Sequence, residues 1–240
     1  MRFSGACVGL WLLTCLPLCA QEVTLYLMDV PPYAMDTPEG KGMVGDVVLE
    51  AMRRAGYTPK VLVVPSPRAL QQVPKLEDVL IIPLARLKER EAQFTWVSHI
   101  LDVERAFYTR DRKVTSFAEA RVAFQTIAVS RGSAGYFILL DQGFDKEQIL
   151  EVNQGITAPK LLQLGRVDAW YNPVLEAERL QGELEGGPRF VASALLGPTG
   201  QYLGCAKVCS PELVRRLSGA LREMQKDGTA QKIMARYLPR

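Results

Sequence analysis

EVTLYLMDVPPYAMDTPEGKGMVGDVVLEAMRRAGYTPKVLVVPSPRALQQVPKLEDVLII, residues 22–82, switches between two periodicities. Glu22 to Met28 alternates in the manner of a strand. From Met43 to Gly56, the residues Met43, Val44, Val47, Val48, Ala51, Met52 and Ala55 recur at three-to-four spacing, an amphipathic helix that Gly56 stops. Val61 to Val64 is a short β-branched strand. Arg68 to Val73 reads as a helix entered through Ser66-Pro67. Val79 to Ile82 is a continuous apolar run, as in a strand buried on both faces. Strands alternating with helices at this rhythm predict a parallel sheet with helical crossovers.

The same grammar returns further along. Thr126 to Ser130, Gln148 to Val152 and Val167 to Tyr171 read as strands. Between and after them come helices: one capped by Ser133 and running through Leu140, one from Pro159 to Leu164 stopped by Gly165, and one from Val174 to Leu180. A strand at Tyr202 to Lys207 follows. Two terminal helices close the chain, one capped by Ser210 with Leu213, Leu217, Leu221 and Met224 as its stripe, the other capped by Asp227. Ala106 to Lys113 reads as an extended crossing between the two α/β units, and the Gly/Pro-rich stretch 182–200 as the return. Two units joined by two crossings would leave a cleft between them.

Composition narrows the function. The 240 residues carry 29 Lys+Arg against 26 Asp+Glu, a near-neutral balance that argues against nucleic-acid binding as the main task. One histidine, His99, argues against a His-rich metal site. No metal and no cofactor is expected.

Residues 1–20, MRFSGACVGLWLLTCLPLCA, have one early positive charge, an uncharged apolar run and Ala20 before the polar pair Gln21-Glu22. This is the layout of a secretory signal peptide, too short for a membrane span of about 20 apolar residues. Export to the periplasm with removal near Ala20 is expected. Attachment of lipid would need a small residue just before a cysteine, which Leu18-Cys19 and Thr14-Cys15 do not supply. Cys7, Cys15 and Cys19 leave with the leader, and Cys205 and Cys209 remain. An exported pair suggests a disulfide. Yet four residues of extended chain would hold the two Cα atoms about 13 Å apart, beyond disulfide reach. The bridge requires a sharp turn after Lys207, and both states stay open.

Five segments together resemble the bacterial extracellular solute-binding proteins of family 3, the polar amino-acid type. They are PPYAMDTPEGKGMVGDVVLEAMRRAGY (31–57), ARLKEREAQFTWV (85–97), VSRGSAGY (129–136), LLQLGRVDAWYN (161–172) and ALREMQKDGTAQKIMARYL (220–238). The resemblance covers nearly all of 22–238. It implies a type II periplasmic-binding-protein fold: two α/β lobes, each a mainly parallel sheet with flanking helices, joined by two hinge strands. The lobes would comprise 21–107 with 194–240, and 108–193. It also implies a monomer that captures a small polar or anionic solute and hands it to a membrane transporter permease without chemistry.

The resemblance places Arg90 where the family's arginine holds a ligand carboxylate. A planar guanidinium suits that task, since it makes two parallel hydrogen bonds and stays charged when desolvated. Tyr33 matches an aromatic that packs on ligands. Ser133 opens a helix whose first backbone N–H groups can receive a carboxylate. Arg68, Arg86 and Arg131 lie in segments that the resemblance brings to the cleft, which favours an anionic ligand. Trp170 and Tyr171 alternate in direction, so one of them at most faces the ligand. The departures are as telling. Ile82, Pro83, Ala85 and Leu87 stand where the family has serine or threonine, and Asn172-Pro173 stands where it has the aspartate that holds an ammonium. Asn172 is therefore expected at the site as a neutral partner, with a free ammonium on the ligand not required.

Two other functions share the fold: a periplasmic dehydratase of cyclohexadienyl acids, and a sensor whose closed form docks on a receptor. Catalysis needs a general acid inside the cleft. Asp46 and Asp168 read as structural and His99 as a packing or surface residue, so no catalytic residue is expected.

Overall fold

The computed structural model describes residues 21–187 and 189–238. The leader expected over 1–20, with its three cysteines, lies outside the described residues. The chain runs β1 (Gln21–Leu27), α1 (Gly42–Arg54), β2 (Tyr57–Val63), α2 (Ser66–Gln72), β3 (Leu80–Ala85), β4 (Thr95–Val103), β5 (Arg105–Thr109), α3 (Phe117–Ala123) and β6 (Ile127–Ser130). It continues with α4 (Ala134–Asp141), β7 (Ile149–Val152), α5 (Thr157–Gln163), β8 (Ala169–Pro173), α6 (Val174–Gly182), β9 (Val191–Ala192), β10 (Thr199–Cys205), α7 (Pro211–Lys226) and α8 (Thr229–Ala235). No helix among the described residues is long and apolar enough to cross a membrane.

The strands form two five-stranded sheets, in the orders β2-β1-β3-β10-β4 and β7-β6-β8-β5-β9. β1 pairs parallel with β2 and β3, and β6 pairs parallel with β7 and β8. These are the βαβ units that the alternating pattern predicts. Each sheet is nevertheless mixed. β10 runs antiparallel to β3 and β4, and β5 antiparallel to β8 and β9, because these strands flank the two crossings. Only Glu104 separates β4 from β5. Arg105 to Phe107, read from sequence as the end of the first lobe, pair with β8 of the second sheet.

Each lobe buries both faces of its sheet. In the first, the α1 stripe (Val44, Val47, Val48, Ala51, Met52) meets Leu25, Leu80, Leu203 and the α7 stripe (Leu213, Leu217, Leu221, Met224). Met28, Ile81 and Leu84 pack on the opposite face against Ala69 and Val73. In the second lobe, Phe107 and Tyr171 pack with Phe124 and Phe144 on one face, and Tyr108 and Trp170 with Leu162 and Leu180 on the other.

The turn after β10 resolves the cysteine question. Cys205 and Cys209 are bridged, with their Cα atoms 6.1 Å apart. The strand ends at Cys205 instead of reaching Lys207. The loop before β3 pulls the chain back: Ala206 N–H donates to the Val79 carbonyl at 2.8 Å, Asp78 N–H donates to the Val208 carbonyl at 3.2 Å, and the Asp78 carboxylate accepts from Ser210 N–H.

Candidate functional site

The C-terminal ends of β1, β3, β6 and β8 face a common space between the lobes, the position where open α/β sheets receive ligands. A cavity of about 670 Å³, counting its open mouth, lies there. The first lobe contributes Met28, Tyr33, Ser66, Arg90 and Gln201, and the second contributes Arg105, Ser133, Gln154, Asn172 and Glu176.

Arg90 sits in a single 3-10 turn after β3 and is 6% exposed. Its guanidinium donates to the Ala85 carbonyl of its own lobe at 3.3 Å and to the Gly132 carbonyl of the other lobe at 3.0 Å. Burial, with repulsion from Arg105 second, pushes its pKa down to about 10, so it remains charged at neutral pH. Arg105 is the first residue of β5, 4% exposed, and donates to the Val103 carbonyl at 3.3 Å. Neither arginine makes an ion pair among the described residues. Two buried guanidiniums held without an ion-paired carboxylate are costly to the fold.

Ser133 occupies the N-cap position of α4, but its hydroxyl makes no bond to the helix. The backbone of Ser133, Ala134 and Gly135 lines the cavity, and the first N–H groups of a helix have no partner within it. Tyr33 is buried between the lobes, and burial raises its pKa. Asn172 is 3% exposed and donates from Nδ2 to the Glu176 carboxyl at 3.0 Å.

Of the residues singled out from sequence, Arg90, Tyr33, Ser133, Asn172 and Arg131 come together, with Arg131 exposed at the rim. Tyr171 lines the cavity and Trp170 packs away from it. Arg68 and Arg86 do not line it. Arg68 is exposed on α2. Arg86 turns outward, where it bonds Glu91 at 3.0 Å and lies over the rings of Trp96 and Tyr202, 5.2 and 5.4 Å from their centroids. Asp168 accepts from the backbone N–H groups of Gln125 and Thr126, and His99 bonds Asp102 on the surface, so both stand apart from the cavity.

Sequence reasoning missed Arg105 and Glu176. Nothing in the local sequence of Arg105 separates it from a solvated arginine. Glu176 had a signal: it stands four residues after Asn172, in the first turn of a helix that leaves a cleft-facing strand end. Burial pushes its carboxyl up to about 7 from an ordinary 4.5, against the opposing pull of Asn172, Arg179, Arg105 and Gln154.

That shift has a stability consequence with a definite sign. Between 4.5 and about 7 the folded state holds the Glu176 proton and the unfolded state does not. Stability therefore falls as pH rises through this window, by an order-of-magnitude 3 kcal/mol, and is fully present only below it. Urea midpoints at pH 5 and pH 7.5 should show this fall in the wild type relative to Glu176→Gln. Parallel pH profiles for the two proteins would show that Glu176 stays ionised.

The chain resembles solved structures over most of its length. With an ancestral arginine-binding protein bound to arginine it shares 17% identity and a TM-score of 0.75, over 92% of this chain and 100% of that one. With a histidine kinase sensor domain similar to periplasmic binding proteins the values are 16% and 0.77, over 91% and 96%. With an ancestral amino acid-binding protein that is a precursor of cyclohexadienyl dehydratase they are 16% and 0.71, over 91% and 95%. At these identities the likeness establishes the fold. No curated protein matches the chain. Residues 24–240 match the family described as bacterial extracellular solute-binding proteins, family 3, and the chain belongs to that family.

Proposed function

We propose that the protein is an exported binding protein that shuts its two lobes on a small solute bearing a carboxylate, an amino acid or related organic acid, and delivers it to a membrane permease. The observation that carries this reading is the pair of buried, unpaired guanidiniums, Arg90 and Arg105, in a cavity walled by both lobes. Arg90 receives the carboxylate, the start of α4 adds backbone donors, and Tyr33 covers the ligand. A screen of amino acids and of mono- and dicarboxylates by thermal shift tests it. A ligand present at about 100 times its dissociation constant stabilises the folded state by roughly 2.7 kcal/mol. A flat response to every carboxylate would remove the reading.

Glu176 favours a second reading, an enzyme. A carboxyl that keeps its proton to about pH 7 inside the cavity has the protonation state of a general acid. Loss of water together with carbon dioxide from a cyclohexadienyl acid, the carboxyl's bonding pair entering the ring as the hydroxyl leaves with the acid's proton, followed by absorbance of the aromatic product, would support it; recovery of the acid unchanged would leave the protein as a binder.

A further inference from the structure

The charge inventory of the cavity says more than that an anion binds. Arg90 and Arg105 line it together, each more than nine-tenths buried. Among the described residues, Glu176 is the one carboxylate side chain in the lining. The groups that face it come from five segments. Asn172 donates to it from β8, and Gln154, in the segment after β7, lies near enough to pull its pKa down. Arg105 brings positive charge from β5 and Arg179 from its own helix. The Tyr33 phenol lies close enough to feel its charge from the segment after β1. Burial outweighs the two arginines and keeps the carboxyl protonated into the neutral range. The interior of the site therefore presents two buried positive charges and one neutral carboxylic acid, with Arg131 adding a further positive charge at the exposed rim. A ligand ammonium would find no charged partner, and a single carboxylate would leave one guanidinium uncompensated.

We propose that the ligand is a small dicarboxylate: Arg90 and the first turn of α4 take one carboxylate, while Arg105 takes the other, with Glu176 donating its acid proton to it as a hydrogen bond. This rests on the carboxylate-binding reading above. It also fixes the sign of a proton linkage. A second carboxylate beside Glu176 favours its protonated form, so binding takes up a proton once pH exceeds the value at which the free site titrates.

Titration calorimetry on the whole protein decides the matter, using succinate and glutarate, butyrate and valerate as monocarboxylates of matching length, and aspartate and glutamate. The dicarboxylates should bind about a hundredfold tighter than the monocarboxylates. Their affinity should fall about tenfold per pH unit above neutrality. Repeating the titration at pH 8 in buffers of different ionisation heat should show uptake of up to about one proton per ligand. Glu176→Gln, which fixes the neutral form, should flatten that dependence. The wild-type proton count needs no variant to fold. Monocarboxylates that match the dicarboxylates would overturn the proposal while leaving a carboxylate binder. Proton release on binding aspartate or glutamate would overturn it too, since it places an ammonium against ionised Glu176. If no carboxylate binds, the carboxylate-binding reading falls as well.

Discussion

In Arg90→Ala, binding of a carboxylate ligand is expected to weaken by about 2–5 kcal/mol, some thirtyfold to several thousandfold in affinity. The side chain is 6% exposed and its guanidinium is fixed by two carbonyl acceptors, so a ligand meets a donor already oriented and already stripped of water. Lysine would not restore it, because an ammonium cannot offer two parallel donors. The same burial predicts an opposite effect on the empty protein. Arg90→Met removes a desolvated charge that no carboxylate compensates, and should raise the ligand-free unfolding temperature while lowering affinity. Calorimetric titration and thermal unfolding of the same samples read both. Affinity within threefold of wild type would take Arg90 out of the site.

Phe107→Ala is expected to destabilise the fold by about 3–5 kcal/mol. The ring is fully buried on β5, with its centroid 4.7 Å from that of Tyr171, 5.8 Å from Phe124 and 6.0 Å from both Phe117 and Phe144. Truncation leaves a cavity ringed by rigid aromatics that cannot collapse to fill it, and also forfeits the tilted and edge-on ring contacts. The wall of the ligand cavity shares the damage, since Tyr171 reaches it and ties its hydroxyl to the Leu196 carbonyl at 2.9 Å. Urea unfolding gives the magnitude. A loss below 1 kcal/mol would mean that the cluster repacks, contrary to the view of it as the rigid centre of the second lobe.

The elements that the sequence disclosed are those with a local cause. The α1 stripe, Gly56 at its end, and the apolar run of β3 appear in the structure within a few residues of their predicted positions. The five family segments brought Arg90, Tyr33, Ser133 and Asn172 to one cavity. What stayed hidden depends on contacts between distant segments. The Cys205–Cys209 bridge requires a turn imposed by Asp78 and Val79, more than a hundred residues upstream. Arg86 and Arg105 are chemically equivalent in the sequence. One is drawn outward by Glu91 and two aromatic rings, and the other is enclosed because β5 begins one residue past the crossing. The raised carboxyl of Glu176 comes from burial among segments distant in sequence, β5, the stretch after β7 and the stretch after β1, which no local pattern encodes.

The hydrogen bond from Arg90 to the Gly132 carbonyl joins the two lobes across the cleft, and Lys88 meets Asp141 across the same gap at 3.0 Å. Part of what holds the lobes together is thus supplied by the protein's own side chains. Any receptor that responds to the shut outline would then see a background set by the protein's intrinsic opening equilibrium, on which a solute acts only through its differential affinity for the shut form. Salt would lower that background, because the exposed lysine–aspartate contact is screened while the buried arginine bond is not. Discrimination between loaded and vacant copies would have to come from how much further the solute shifts the equilibrium.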